Sequence, residues 1–271
     1  MRSPTVSTQL QRMATQASDY PEEVFTNLAH LIDEDFLREA YHRTRKDSAP
    51  GIDRVTGQDD AEHVDENLRD LYDRLRSGRY QAPPVERVWL DKEEGKKRPM
   101  GKPTFEDKLV QRAVALLLGA IYEQDFQDFS YGFRAGRSPH QALSALREQC
   151  LGKNIHWIID ADISGFFDSL DHDLLREVIR QRVKDGSILR LIGKWLNAGV
   201  IEGSDLTYPE TGSPQGGVSA PVLSNIFLHD VLDEWFVRDV QPRMKGRCIL
   251  LRYADDGVPR THERRFSVEP S

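Results

Sequence analysis

The amino-acid sequence predicts an α+β fold, with helices surrounding a small antiparallel sheet. One broad apolar helical face recurs through Leu109, Val110, Ala113, Leu116, Leu117, Ala120 and Ile121. A strand-like stretch, Val85–Leu90, runs into the charged tip Glu93-Glu94-Gly95-Lys96-Lys97, which reads as a hairpin. Two further apolar stretches, residues 156–162 and 247–254, each run into acids, the first at Asp160 and Asp162, the second at Asp255-Asp256.

Residues 1–20 are polar and show no period, so no regular structure is expected there, only a mobile lead-in. Phe36, Leu37, Ala40 and Tyr41 predict a short helix over 33–46, and Ala49-Pro50-Gly51-Ile52-Asp53 a turn. Val64, Leu68, Leu71, Tyr72 and Leu75 give the next helix, with Gly78 as its C-terminal cap. Thr104 opens the long helix, and Asp107 three residues on suits a reciprocal cap. An aromatic and basic loop over 126–138 leads to a helix over 139–151. Helices are expected over 171–184, with Asp171 as cap, over 187–198, and over roughly 219–238 after short strands and a Gly-rich turn. No internal repeat interrupts this pattern.

The chain has 271 residues and a formal charge of -7, so any nucleic-acid contact has to be local rather than a whole-surface field. Residues 92–112 offer such a place: Lys92, Lys96, Lys97, Arg98, Lys102, Lys108 and Arg112 outnumber Glu93, Glu94, Glu106 and Asp107. The longest apolar run, Ala113–Tyr122, is half the ~20 residues of a membrane span, and no membrane partner is expected. Two distant cysteines, Cys150 and Cys248, lack any CxxC or Cys/His spacing. They read as buried reduced thiols in a cytoplasmic protein.

The chemistry gathers at the acids. Magnesium takes oxygen ligands, keeps several waters, and uses one or two protein carboxylates with phosphate oxygens completing its shell. Asp162 and the Tyr253-Ala254-Asp255-Asp256 tetrad, each closing an apolar strand, have that character. An isolated strand-end acid is more often a turn former. Asp160 is accordingly assigned no metal, and Asp168 is left structural.

The order of five segments adds a family resemblance. Arg98-Pro99-Met100-Gly101-Lys102-Pro103-Thr104 and Tyr131-Gly132-Phe133-Arg134-Ala135-Gly136-Arg137-Ser138 resemble fingers motifs of group II intron reverse transcriptases. Asp162-Ile163-Ser164-Gly165-Phe166-Phe167-Asp168 is similar to polymerase motif A, Ser213–Asn225 to motif B, and Tyr253–Asp256 to motif C. The resemblance implies the fingers and palm of a right-hand polymerase, with an N-terminal extension over 1–55, fingers over 56–155 and an incomplete palm over 156–258. It implies RNA-directed DNA synthesis from deoxynucleoside triphosphates on an RNA template with a DNA primer, together with contact to intron RNA. Asp162, Asp255 and Asp256 would be catalytic, with Asp162 and Asp255 as Mg2+ ligands. Lys92, Arg98, Phe166 and Gln215 would bind the nucleotide, Phe166 by pressing beneath its sugar. Arg134, Arg137, Gly216 and Gly217 would meet the template.

Ala135 stands where the family usually has proline, a minor departure. After Gly257-Val258, where the family continues as an apolar strand, Pro259-Arg260-Thr261-His262-Glu263-Arg264-Arg265 reads as no strand at all. Residues 259–271 are therefore expected to be an unrelated tail, with the thumb absent and a sheet edge left open beside Tyr253, as a truncation or frameshift would leave it. Weak processivity is the corresponding expectation. The alternatives are maturase-type binding of intron RNA without catalysis, a nonfunctional relic, and a two-metal nuclease, the last disfavoured by Ser213–Asn225.

Overall fold

Capping side chains mark where the first helices begin. Thr5 accepts the N–H of Thr8 before α1 (Val6–Asp19), Asp33 that of Phe36 before α2 (Glu34–Arg43), and Thr56 that of Asp59 before α3 (Gly57–Ala61). The computed structural model describes residues 5–91, 97–152, 157–163, 165–208, 211, 212, 216–244, 246, 248–257, 260 and 261. α1 corrects the expectation of an irregular N-terminus: Met13 and Ala17 are buried and the helix packs on the long apolar helix. Val6, Leu10, Met13 and Ala17 do recur at helical spacing, but on a stripe so narrow that the polar majority hides it.

By its contacts the chain divides into two compact units, residues 1–125 with 167–223, and 126–166 with 224–271. The first unit continues with α4 (Val64–Arg76), β1 (Val85–Asp91), β2 (Lys97–Lys102) and α5 (Phe105–Tyr122). α1 and α2 pack against α5, whose Val110, Ala113, Val114, Leu117, Leu118 and Ile121 are inaccessible to solvent. Thr104 does cap α5 by accepting the Asp107 N–H at 3.3 Å. The reciprocal half of the expected cap is not made, because the Asp107 carboxylate turns inward instead. It accepts from Tyr80 Oη, from Gln111 Nε2 at 2.8 Å and from Trp195 Nε1 at 2.9 Å. Three buried donors outweigh one backbone N–H.

α6 (Pro139–Gly152), β3 (Trp157–Ile158), β4 (Ala161–Asp162) and the short α7 (Phe166–Ser169) follow, then α8 (His172–Arg182) and α9 (Gly186–Leu196), capped by Asp171 and Asp185. β5 (Val200–Glu202) and β6 (Asp205–Thr207) form a hairpin that joins the first sheet in the order β2-β1-β5-β6. β1 pairs antiparallel with β2 and parallel with β5, so this sheet is mixed.

α10 (Ala220–Leu228) runs on as π-helical turns, His229–Glu234 and Phe236–Val240. In the second unit, Phe236 packs with Cys248 and Leu250 as a small core bordered by Phe129, Leu232 and Val240. The strands there are β7 (Cys248–Ile249), β8 (Arg252–Tyr253), β9 (Asp256–Gly257) and β10 (Arg260–Thr261). They form two three-stranded ladders, β3-β10-β7 and β4-β9-β8, every pairing antiparallel. Both ladders use the same three stretches in the same order: 157–162, then 256–261, then 248–253.

This arrangement corrects three expectations. The stretches 156–162 and 247–254 are each broken into two short strands rather than one. The segment after Pro259 does form a strand, and it lies in the middle of its ladder; a proline just before a strand takes no donor out of it. The edge beside Tyr253 is not open, because Arg252 N–H donates to Phe129 O and Arg252 O accepts from Tyr131 N–H, both at 2.9 Å. Neither cysteine is in a disulfide; Cys248 is buried and Cys150 only half-buried. Mixed helices and small sheets make the fold α+β, as expected. Among the described residues no helix is long and apolar enough to cross a membrane.

Candidate active site

Strand register brings the predicted acids together. β8 and β9 are a hairpin in which Tyr253 pairs with Asp256 across the turn Ala254-Asp255. β4 lies on the other side of β9, with Asp162 directly opposite Asp256. Opposed residues of an antiparallel pair hold their Cβ atoms about 4.5–5.5 Å apart, so these carboxyls have to meet. The Asp162 carboxyl lies close enough to favour a proton on Asp256. Asp256 is accordingly raised above the ordinary carboxyl range, first by partial burial, then by the negative charges of Asp255, Asp162 and Asp160. Asp160, left out of the sequence-based site, belongs to this electrostatic neighbourhood.

Among the described residues, no group of three or more His, Cys, Asp or Glu side chains is gathered closely enough to hold a metal by itself. Asp162 and Asp255, both beside Asp256, nonetheless fit magnesium, which needs only one or two protein carboxylates when phosphate oxygens complete its shell. The like-charge repulsion that raises Asp256 is what such a cation relieves.

A buried network sets the turn that carries Asp255. Ala254 has φ 59°, a left-handed conformation that costs a residue with a Cβ about 1–3 kcal/mol. Its carbonyl accepts from Arg252 Nη1 at 2.9 Å. Arg252 is completely buried and forks onto the equally buried Asp233, Nε to Oδ1 at 2.8 Å and Nη2 to Oδ2 at 2.6 Å. Arg252 Nη1 also donates to Asn225 Oδ1 at 3.0 Å, and Asn225 Nδ2 donates to Gly132 O at 2.8 Å. A Cβ at position 132 would run into the backbone N of Ala254, so only glycine lets this loop lie against the turn. The sequence reading missed this network. Its one legible signal was a charged residue inside the apolar run Ile249-Leu250-Leu251-Arg252, which demands a buried partner.

The remaining predicted residues are placed as follows. In the second unit, Phe166 is 5% exposed, its ring tilted against Phe227 at 6.2 Å between centroids. Arg134, expected at the template, is buried over the Phe126 ring. It donates to the carbonyls of Gln127 at 2.7 Å and Ser130 at 2.8 Å, holding its own loop together. Arg137 is more exposed, pairs with Asp128 at 2.8 Å and lies over the Tyr131 ring.

In the first unit, Arg98 is exposed on β2 opposite Leu90. Gly216, at φ 107°, is packed so closely on Gly101 O that a Cβ would collide, and Gly217 is half-buried beside it. Lys92 and Gln215 lie outside the described residues. The basic excess over 92–112 is partly internal. Lys108 is buried and donates to Ala49 O at 2.6 Å, and Lys102 pairs with Glu86 at 2.8 Å.

Residues 90–263 match the family described as reverse transcriptase (RNA-dependent DNA polymerase). The chain belongs to the reverse transcriptase family. The matched range takes in β10, the strand that the sequence reading placed in an unrelated tail. This reverse transcriptase chain is 35% identical over 224 residues to the group II intron-encoded protein LtrA of Lactococcus lactis, covering 82% of this chain and 37% of LtrA. It is 36% identical over 232 residues to YkfC of Escherichia coli, 83% of this chain and 61% of that protein. A shorter match, 32% over 91 residues, reaches nuclear intron maturase 1 of Arabidopsis thaliana, 34% of this chain and 12% of the maturase. The chain thus spans between about a third and three fifths of LtrA and YkfC.

Proposed function

We propose that this chain is the fingers and palm of a group II intron reverse transcriptase, with fingers over 56–155 and palm over 156–258. The reaction is templated nucleotidyl transfer. The primer 3′-hydroxyl attacks the α-phosphate of a deoxynucleoside triphosphate, a phosphodiester bond forms, and pyrophosphate leaves. Asp162 and Asp255 hold Mg2+, with Asp256 beside them. Magnesium held by Asp162 and Asp255 would supply activation of the attacking oxygen and charge stabilisation of the leaving one.

The observation that carries this reading is the register that sets Asp162 opposite Asp256, next to Asp255. Lys92 and Arg98 neutralise the triphosphate, a guanidinium being suited to bidentate phosphate contact. Phe166 selects against a 2′-hydroxyl from beneath the sugar, and Gln215, Gly216 and Gly217 approach the nascent pair and template. Arg137 meets template phosphate, while Arg134 supports the loop that presents it.

Primer extension on an RNA template with magnesium tests the proposal. Wild-type chain adds deoxynucleotides, and Asp162→Asn and Asp255→Asn each abolish addition. Extension surviving in either variant sinks the assignment. The intron-encoded and maturase relatives favour a second reading, in which the chain grips intron RNA without catalysis. RNA binding that persists in Asp255→Asn, with no extension by the wild type, selects that reading instead.

A further inference from the structure

The first unit contains a cleft of about 710 Å³ between the C-terminal end of α4 and one face of α9, well away in sequence from every acid of the proposed reaction. Its lining contains four basic side chains, His30, Arg76, Arg190 and Lys194, and no aspartate or glutamate. In a chain with formal charge -7, such a segregation of charge is the unusual feature.

Arg76 and Arg190 are exposed, and neither has a carboxylate partner among the described residues. Arg76 reaches the Tyr72 hydroxyl at 3.4 Å and Arg190 the Ser187 hydroxyl at 2.9 Å, so both guanidinium groups keep donors for a ligand. Lys194 leans inward and donates to Tyr80 O. Of the acids bordering the cleft, Asp185 accepts from the backbone N–H groups of Leu28, Ala29, Ser187 and Ile188, and Asp107 accepts from Tyr80, Gln111 and Trp195, so both are satisfied within the fold. Beneath the cations the lining is apolar and aromatic, with buried Ile32 and Leu191 and half-buried Tyr72.

We propose that this cleft is a binding site for a nucleoside phosphate, either free or as one nucleotide of a single strand. The volume lies within the range of small-molecule sites, about 300–1,000 Å³. The apolar and aromatic lining takes the base, and guanidinium groups without a carboxylate partner take the phosphate. A purely apolar ligand leaves those cations without partners, and a cationic ligand is repelled. The site needs no metal, so it stands independently of the polymerase reading.

The test uses the full chain in EDTA, which silences any metal-dependent site. Fluorescence anisotropy follows fluorescein-labelled hexa-adenylate RNA, and AMP and adenosine serve as competitors. Binding that the double variant Arg76→Glu/Arg190→Glu weakens at least tenfold supports the proposal. The control Arg180→Glu, an exposed charge reversal on α8 outside the cleft lining, must leave binding intact. Losing the contact to that one strand phosphate also lowers the log–log salt dependence by roughly 0.7. Competition by AMP but not adenosine identifies the free nucleotide as sufficient; failure of AMP to compete while the oligomer still binds identifies the strand. No binding by the wild type, equal binding by the double variant, or an equal loss in the control overturns the site. Both substituted arginines are exposed, so unchanged melting of the double variant separates a lost site from a lost fold.

Discussion

Asp107 and Asp256 both hold a proton more tightly than a solvated carboxyl, yet their surroundings have little in common. Asp107 is buried, pushed up to about 6 by desolvation, and enclosed by the donors Tyr80, Gln111 and Trp195. Asp256 is an exposed residue of β9, and after partial burial what raises it is other carboxylates. One acid has been given hydrogen-bond partners and serves as a structural hub. The other has been given like charges, with no counter-ion paired to it among the described residues. Between them stands Asp233, an acid as buried as Asp107 but paired with Arg252. Perturbation alone therefore does not mark a catalytic acid; the nature of the neighbours does.

The largest expected effect tests the neutralised case. Asp233→Ala strands the Arg252 guanidinium in the interior and is expected to cost about 3–5 kcal/mol in chemical denaturation. A loss below 1 kcal/mol shows that Arg252 does not depend on Asp233. Asp107→Asn comes next. A raised folded pKa means the folded state binds the proton more tightly, so this contribution to stability is complete below about pH 4 and lost as pH climbs through about 6. The wild type is expected to lose on the order of 2–3 kcal/mol across that window from this group, and the asparagine variant to show a flatter profile. Identical slopes in the two proteins refute the account of Asp107.

The smallest effect is expected at Asp256. Removing one of two directly opposed like charges by Asp256→Asn is expected to stabilise the fold at pH 7 by about 0.5–1 kcal/mol. The advantage shrinks on acidification, because Asp256, itself raised, is then protonated in the wild type. Millimolar magnesium should raise the melting temperature of the wild type more than that of the variant, since a cation relieves the same repulsion. Destabilisation at pH 7 removes the like-charge explanation.

Local pattern determined what the sequence revealed. α2, α4 and α5 follow from apolar spacing because a helix makes its hydrogen bonds within itself. Two-residue strands do not, because each is fixed by partners far away: residues 156–162 look like one strand until β10 and β9 take up successive halves. The acids at 162, 255 and 256 were legible as a set, whereas their support was not. Nothing near Asp233 announces that it meets Arg252, and Arg134 looks like a phosphate contact until its loop closes around it. Asp107 satisfied a capping pattern, yet the tryptophan and tyrosine that claim it are remote in sequence.

The interleaving of 256–261 between 157–162 and 248–253 also sets an order of assembly. β8 and β9 are joined by a two-residue turn and can zip within microseconds. Docking that hairpin on β4 closes a loop of roughly ninety residues, an entropic toll that a few backbone bonds scarcely repay. The step that first sets Asp162 opposite Asp256 is thus a late one in the folding of this unit, and the chain meets its own charge repulsion at the moment the centre takes shape.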